Sequence, residues 1–228
     1  MGGDFGEEEA ATLPLDPDGG DEVYQRFMAA IHPRLGGPGY RKRNGPLTRR
    51  PDHFYALCRL MKECGQRISD ATMIEPDKIS IENGRCGTYT FRQRKTKRIT
   101  TIYPTLELTA VLKALPKIHG PYVFYDGRAN HKKFIVAQVN QPMEQIAGLV
   151  GLDGIRPHRF RDQFALDMWV KHRSFDLIKE LLGHKDVRTT QHYYQRWCKA
   201  RETAMVDTLY PQTPVLIEMP KQQKGRPG

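Results

Sequence analysis

The sequence predicts an α+β fold, mainly helical, built around one small antiparallel sheet. Three observations carry this. Between residues 78 and 103 lie three short stretches rich in β-branched and aromatic residues: KISI (78–81), TYTFRQ (88–93) and RITTIY (98–103). On either side, apolar residues recur at the spacing of an amphipathic helix. The composition, 39% hydrophobic and 27% charged over 228 residues, is that of a globular chain. No apolar run approaches the ~18 residues of a membrane span.

Taken in order, residues 1–22 are rich in Gly, Asp and Glu and are predicted to be disordered. Residues 23–32 (VYQRFMAAIH) suit one short helix, and 35–46 read as a basic Gly/Pro linker. A domain is therefore expected over 47–210, after a 23–46 connector and before a 211–228 tail. Its first helix carries Phe54, Leu57, Cys58 and Met61 on one face and stops at Gly65. The first two strands are joined by a turn containing Asn83-Gly84, which favours a hairpin. Leu108, Val111, Leu112 and Leu115 form the next helical stripe, closed by Pro116. Further helices are predicted over 131–150 (broken at Pro142), 157–171, 175–182, 187–195 and 196–208. Pro211 and Pro214 end the last of them.

Charge gives the first functional indication. The chain carries +10 at pH 7, and the charge is segregated. Eight of the 26 acidic residues lie in positions 1–22, which hold no Lys or Arg. The remainder has 36 basic residues against 18 acidic ones. So basic a unit is drawn to a polyanion, and nucleic acid is the commonest one. The N-terminus is acidic where a secretory signal would be basic and then apolar, so a cytoplasmic protein is expected, on the nucleoid when bound to DNA. Cys58, Cys64, Cys86 and Cys198 form no C-x-x-C pair, and reduced, mostly buried thiols are expected.

Residues 155–198 hold the densest chemistry. His158 and Arg161 are three apart on a predicted helix and share a face. Ser174 can cap the following helix, whose end at Gly183 places His184 in a tight turn. Asp186 can cap a further helix carrying His192, Tyr193 and Tyr194. His184 and His192 have no third ligand in register, so no metal site is expected.

This arrangement resembles the tyrosine recombinase (phage integrase) family. The family has H-x-x-R, then an L-G-H turn, then a tyrosine nine residues after that histidine. Here His158-Arg159-Phe160-Arg161, Leu182-Gly183-His184 and Tyr193 stand in that order. Upstream, Gly65-Gln66-Arg67-Ile68-Ser69-Asp70 is similar to the family's G-x-R-x-x-E/D element. Arg94-Lys95-Thr96-Lys97 lies between two strands, where the family places a hairpin lysine. Phe160 and Gln66 stand where leucine is common, as packing changes. The match spans about residues 47–208. Family members usually carry a further helical DNA-binding domain of about one hundred residues ahead of it, in the range of a small domain. With 46 residues before the match, a catalytic domain of a truncated or unusually short protein is expected.

The resemblance implies the family's catalytic fold, of the DNA breaking and rejoining type, and transesterification of a DNA phosphodiester with no metal or other cofactor. Tyr193 would attack phosphorus and form a 3′-phosphotyrosine. A phenol titrates at about 10, so it needs a base, and His158 is placed to accept its proton. Arg67 and Arg161 would neutralise the charge gathering on the non-bridging oxygens, with His184 as a further donor. Lys95 would protonate the leaving 5′-oxygen, and Asp70 would orient its neighbours. The register of Tyr193 against Tyr194 rests on the nine-residue interval. Arg94, Lys97, Lys132, Lys133, Arg156, Arg159 and Arg188 are candidate phosphate contacts. The implied partner is double-stranded DNA, bound by a homotetramer assembled through the C-terminal segment. A type IB topoisomerase-like enzyme and a catalytically silent DNA-binding fragment are the alternatives.

Overall fold

The computed structural model describes residues 14–16, 21–31, 50–82, 84–127 and 130–209. Helix α1 (Glu22–Ile31) precedes α2 (Pro51–Cys64), a one-turn α3 (Ile68–Ala71) and a 3₁₀ turn over Pro76–Lys78. Three strands follow, β1 (Ser80–Glu82), β2 (Cys86–Arg92) and β3 (Ile99–Ile102). They form one antiparallel sheet in the order β1-β2-β3, with Ser80 opposite Thr88, Tyr89 opposite Ile102 and Arg92 opposite Ile99. The rest is helical: α4 (Leu106–Ala114), α5 (His131–Ile135), α6 (Gln141–Leu149), α7 (Pro157–His172), α8 (Phe175–Leu182) and α9 (Val187–Leu209). The small sheet and helical remainder match the predicted class.

The core is organised on α7. Every residue from Phe160 to Leu166 is buried, so this helix has no solvent face over two turns. Such burial suits a central helix and hides the amphipathic signal that marks surface ones. On one side α7 packs against α2, whose Phe54, Leu57, Leu60 and Met61 share one core with Phe160, and against α1. Phe160 meets Phe27 and Tyr24 edge-on at 5.8 and 6.2 Å between ring centres. On the other side Phe164, Ala165, Leu166 and Trp169 join Ile178, Leu182, Tyr194 and Cys198 in a smaller cluster shared with α8 and α9. The sheet lies against α4 and α8, with Tyr89 and Ile102 turned inward.

Three local readings change. Within the acidic segment predicted to be disordered, Pro14, Leu15 and Asp16 are buried. Leu15 belongs to the main core. The Asp16 carboxylate accepts from the Val23 and Tyr24 amides at 2.7 and 3.1 Å, capping α1 from outside the helix. The Asp16 amide donates to Gln163 Oε1 on α7 at 2.8 Å. Composition reads this stretch as polar, but one leucine and one capping carboxylate tie it down.

Second, Pro142 does not break the 131–150 helix. A π-helical stretch over Val136–Asn140 joins α5 to α6, with the Gln141 amide reaching back to Val136 O. Proline removes a donor and its ring crowds the preceding turn; the wider register absorbs both. Third, 187–195 and 196–208 form the single helix α9. The four cysteines are free, with Cys58, Cys64 and Cys198 buried. Among the described residues no helix is long and apolar enough to cross a membrane.

Candidate active site

The first arginine element follows from how α2 stops. Gly65 adopts φ +61°, and its amide returns to Met61 O at 2.9 Å. A Cβ there would lie 2.3 Å from Phe164 Cδ1 and 2.8 Å from Leu182 Cδ2, so the α2 terminus fits only glycine against α7 and α8. Arg67 then stands at the N-cap of α3. One turn on, Asp70 is buried and its Oδ1 accepts from the Arg94 amide at 2.9 Å. Burial raises the Asp70 pKa against the pull of that amide and of Arg67. The carboxylate thus clamps the β2–β3 turn onto α3.

That turn carries Arg94, Lys95 and Lys97, all exposed. Lys97 sits in the left-handed region at φ +60°, its amide bonded to Gln93 O at 3.0 Å. Gln93 is fully buried. Its Oε1 accepts from Arg67 Nη1 at 2.9 Å and from Thr96 Oγ1 at 2.6 Å. Its Nε2 donates to Leu182 O at 3.0 Å. One amide therefore joins the first arginine, the lysine-bearing turn and the end of α8. Sequence reasoning missed it. The available signal was the two-residue period that puts Gln93 on the same face as Tyr89 and Phe91, an inward position for a polar group.

Helix α8, capped by Ser174 Oγ on the Leu177 amide at 3.2 Å, ends at Gly183 with φ +68°. A Cβ on Gly183 would sit 2.3 Å from Gln93 Nε2 and 2.7 Å from Thr100 Oγ1. The tight passage aims His184 inward. His184 Nε2 lies 3.0 Å from Arg161 Nη2, and Nδ1 lies 2.8 Å from Thr190 Oγ1. Guanidinium only donates, so Nε2 accepts and Nδ1 carries the proton. Burial, then the charges of Arg161 and Arg67, lower the His184 pKa to about 3, so the ring is neutral at pH 7. In this state His184 accepts at Nε2, where a phosphate donor had been expected. Arg98, on the hairpin, donates to His184 O.

Arg161 is 2% exposed. A buried cation must be hydrogen-bonded, and Arg161 donates to Gly65 O at 2.6 Å and Leu182 O at 3.0 Å besides His184. Burial and the neighbouring Arg67 charge lower its pKa to about 10, which still leaves it cationic at pH 7. His158, one turn earlier on α7, keeps its side chain 42% exposed. Its Nδ1 lies 3.2 Å from Oδ1 of Asp162, a fully buried carboxylate. Tyr194 is buried, and its hydroxyl donates to the same oxygen over a long 3.4 Å. Tyr193 lies in the second turn of α9, while its side chain falls outside the described residues. Asp162 is the second residue that sequence reasoning missed, although its i, i+4 relation to His158 was visible.

Arg67, Asp70, His158, Arg161 and His184 are thus brought into one linked cluster, with Lys95 on the turn that Gln93 and Asp70 hold. The other candidate cations are dispersed. Lys132 and Lys133 are exposed on α5, and Arg188 is exposed at the start of α9, where Asp186 Oδ1 accepts its amide at 2.8 Å. Arg156 is exposed and faces Glu144 at 3.8 Å. Arg159, expected at phosphate, is engaged elsewhere: it donates to the carbonyls of Pro14, Asp153 and Gly154 at 3.0–3.3 Å. It staples the N-terminal segment to α7, and burial lowers its pKa. Among the described residues no group of three or more His, Cys, Asp or Glu could hold a metal ion.

The chain is similar in sequence and in fold to known recombinases. The tyrosine recombinase XerC of Lactobacillus leichmannii is 28% identical over 146 residues, covering 60% of this chain and 48% of that protein. XerA of Pyrococcus horikoshii is 30% identical over 143 residues, covering 61% of this chain and 46% of its own length. The chain thus spans about half the length of the curated relatives it matches. Among solved structures, the XerH site-specific recombinase bound to palindromic difH substrate superposes with a TM-score of 0.61 at 17% identity, over 88% of this chain and 53% of that one. XerA recombinase superposes at 0.60 and 15% identity, over 89% and 66%. These likenesses show the fold. The family model described as the phage integrase family matches residues 46–198, two thirds of the sequence, and the chain belongs to that family.

Proposed function

We propose that this chain is the catalytic part of a site-specific DNA recombinase that cleaves and rejoins duplex DNA through a 3′-phosphotyrosyl intermediate, without a metal. The observation that carries the reading is the convergence of Arg67, Arg161 and His184 on the end of α8, all tied through Gln93 and Leu182 O. Two guanidinium groups whose charges act on each other suit a single anionic phosphodiester, since arginine donates in a fixed planar fork and stays charged.

Tyr193 Oη attacks phosphorus as its proton passes to His158. Negative charge builds on the non-bridging oxygens, where Arg67 and Arg161 stabilise it more than in the ground state. A phosphate reaches Arg161 by displacing His184 from Nη2. The Thr190 hydroxyl can accept or donate, so His184 can then move its proton to Nε2 and turn from acceptor to donor. The 5′-oxygen leaves with a proton from Lys95. The bond energy is kept in the phosphotyrosine, and reversal on a second 5′-hydroxyl completes exchange. Assembly of a homotetramer on two duplexes through the segment after Tyr193 belongs to the same reading, as does residence on the nucleoid. Exposed Val206 near the end of α9 offers an apolar contact for it.

The test is covalent trapping on a nicked suicide duplex. The chain should form a denaturant-resistant adduct that disappears in Tyr193→Phe with little loss of duplex affinity. Tyr194→Phe should keep it, because Tyr194 lies buried against α7. Transfer of the trapped strand to a second duplex marks a recombinase, and relaxation without transfer marks a topoisomerase. An adduct surviving in Tyr193→Phe would move the nucleophile elsewhere.

A further inference from the structure

Asp162 is a fully buried carboxylate in the middle of α7, next to Arg161. Its Oδ1 meets His158 Nδ1 at 3.2 Å and the Tyr194 hydroxyl at 3.4 Å. Its Oδ2 has no hydrogen-bond partner among the described residues. A half-satisfied buried carboxylate is costly and calls for an explanation. Apolar packing would be served better by leucine at this position.

We propose that Asp162 is a positioning residue that fixes the tautomer of His158 and ties it to the helix carrying Tyr193. An ionised carboxylate only accepts hydrogen bonds, so His158 Nδ1 is the donor and carries the ring proton. The lone pair then belongs to Nε2. That is the nitrogen a general base must present, and the carboxylate also stabilises the imidazolium formed once the base has taken its proton. The second contact reaches α9 through Tyr194, the residue after Tyr193. One oxygen thus references the base and the nucleophile helix to the same point on α7. The inference rests on the reading of His158 as the base. The competing role for Asp162 is counter-charge to Arg159 and Arg161, which both feel its field. Counter-charge alone would not select a tautomer.

The experiment reads the His158 ring nitrogens in the 228-residue chain, without DNA, by long-range ¹H–¹⁵N correlation, alongside single-turnover adduct formation on the suicide duplex. Wild type should show the Nδ1–H tautomer. Asp162→Leu removes the acceptor and should move the proton to Nε2, which dominates in unconstrained histidine. Asp162→Asn keeps the shape but loses the charge, and its amide can offer an NH2 donor to Nδ1 as readily as a carbonyl acceptor. It should populate the Nε2–H tautomer and slow adduct formation on the order of 10–100-fold, as losing the orienting partner of a functional histidine does. Its duplex affinity should stay within about twofold. Tyr194→Phe leaves the His158–Asp162 contact and should keep the Nδ1–H tautomer. An Nε2–H tautomer in wild type, or wild-type rates in Asp162→Asn, would overturn the proposal. Should the leucine variant fail to fold, those two measurements decide it. Absence of any adduct in wild type would instead sink the catalytic reading, while the tautomer of His158 still reports on Asp162.

Discussion

At the scale of single residues, the site combines cations that must stay charged with a histidine held neutral. His184 titrates at about 3 in the folded chain, against an ordinary 6.5, chiefly because it is buried and then because Arg161 and Arg67 face it. His131 is lowered to about 4 by burial and by Arg94, and His53 is lowered by burial. Each depressed pKa means that the unfolded chain binds a proton the folded one refuses. Stability is then fully present above about pH 6.5 and is lost as pH falls toward 3. Asp70, whose pKa is raised by burial, acts in the opposite sense at the acid end. Urea unfolding should therefore show a lower midpoint at pH 5 than at pH 7.5. His184→Asn should reduce that difference, since it removes one of the groups that bind a proton only on unfolding. A midpoint unchanged between the two values would mean that these histidines are solvated in the folded chain.

At the scale of elements, much was legible. The resemblance, through its G-x-R, H-x-x-R and L-G-H patterns, picked out Arg67, His158, Arg161 and His184, and local rules describe the helix ends and the helix face on which they sit. The three strands were readable from β-branched content, and both glycine stops from their position after an apolar period. What stayed hidden depends on contacts distant in sequence. Gln93 matters only because Leu182 O and Arg67 arrive beside it, and Asp162 sits in the stretch of α7 that is buried on all sides, where periodicity has no contrast. The Pro142 reading failed because local sterics do not say that a wider turn can absorb a proline. The same distant contacts make the β2–β3 hairpin a unit that can be loosened by one change. Its clamp to α3 is the Asp70–Arg94 amide bond. Hydrogen bonds to charged groups contribute about 1.5–3 kcal/mol, so Asp70→Ala should lower exchange protection at the Arg94 amide on the order of 10–100-fold. Protection in the β1–β2 pairing should not change. Hydrogen exchange resolved by residue checks both.

At the scale of the whole molecule, the proposed function turns the positive balance after the acidic first 22 residues into a question of which cations would meet DNA. Counting charges does not answer this, because the structure divides them by occupation. Arg159 is spent on three backbone carbonyls, whereas Lys132 and Lys133 are exposed on α5. A phosphate contact releases condensed counterions, so log affinity falls with log salt at a slope of about −0.9 per neutralised phosphate. Non-specific duplex binding should have a Kd of about 10⁻⁴–10⁻⁶ M near physiological salt. Replacing Lys132 and Lys133 together by alanine should reduce the slope by roughly 1–2 while leaving the unfolding midpoint alone. Arg159→Ala should do the reverse. It should lower stability by about 1–3 kcal/mol, as carbonyls of Pro14, Asp153 and Gly154 lose their donor, and leave the salt slope unchanged. Fluorescence anisotropy across a salt series, paired with urea unfolding of each variant, separates the two kinds of arginine and lysine. A slope lost with Arg159 and kept without the α5 lysines would put the DNA on the side of the molecule where the N-terminal segment meets α7.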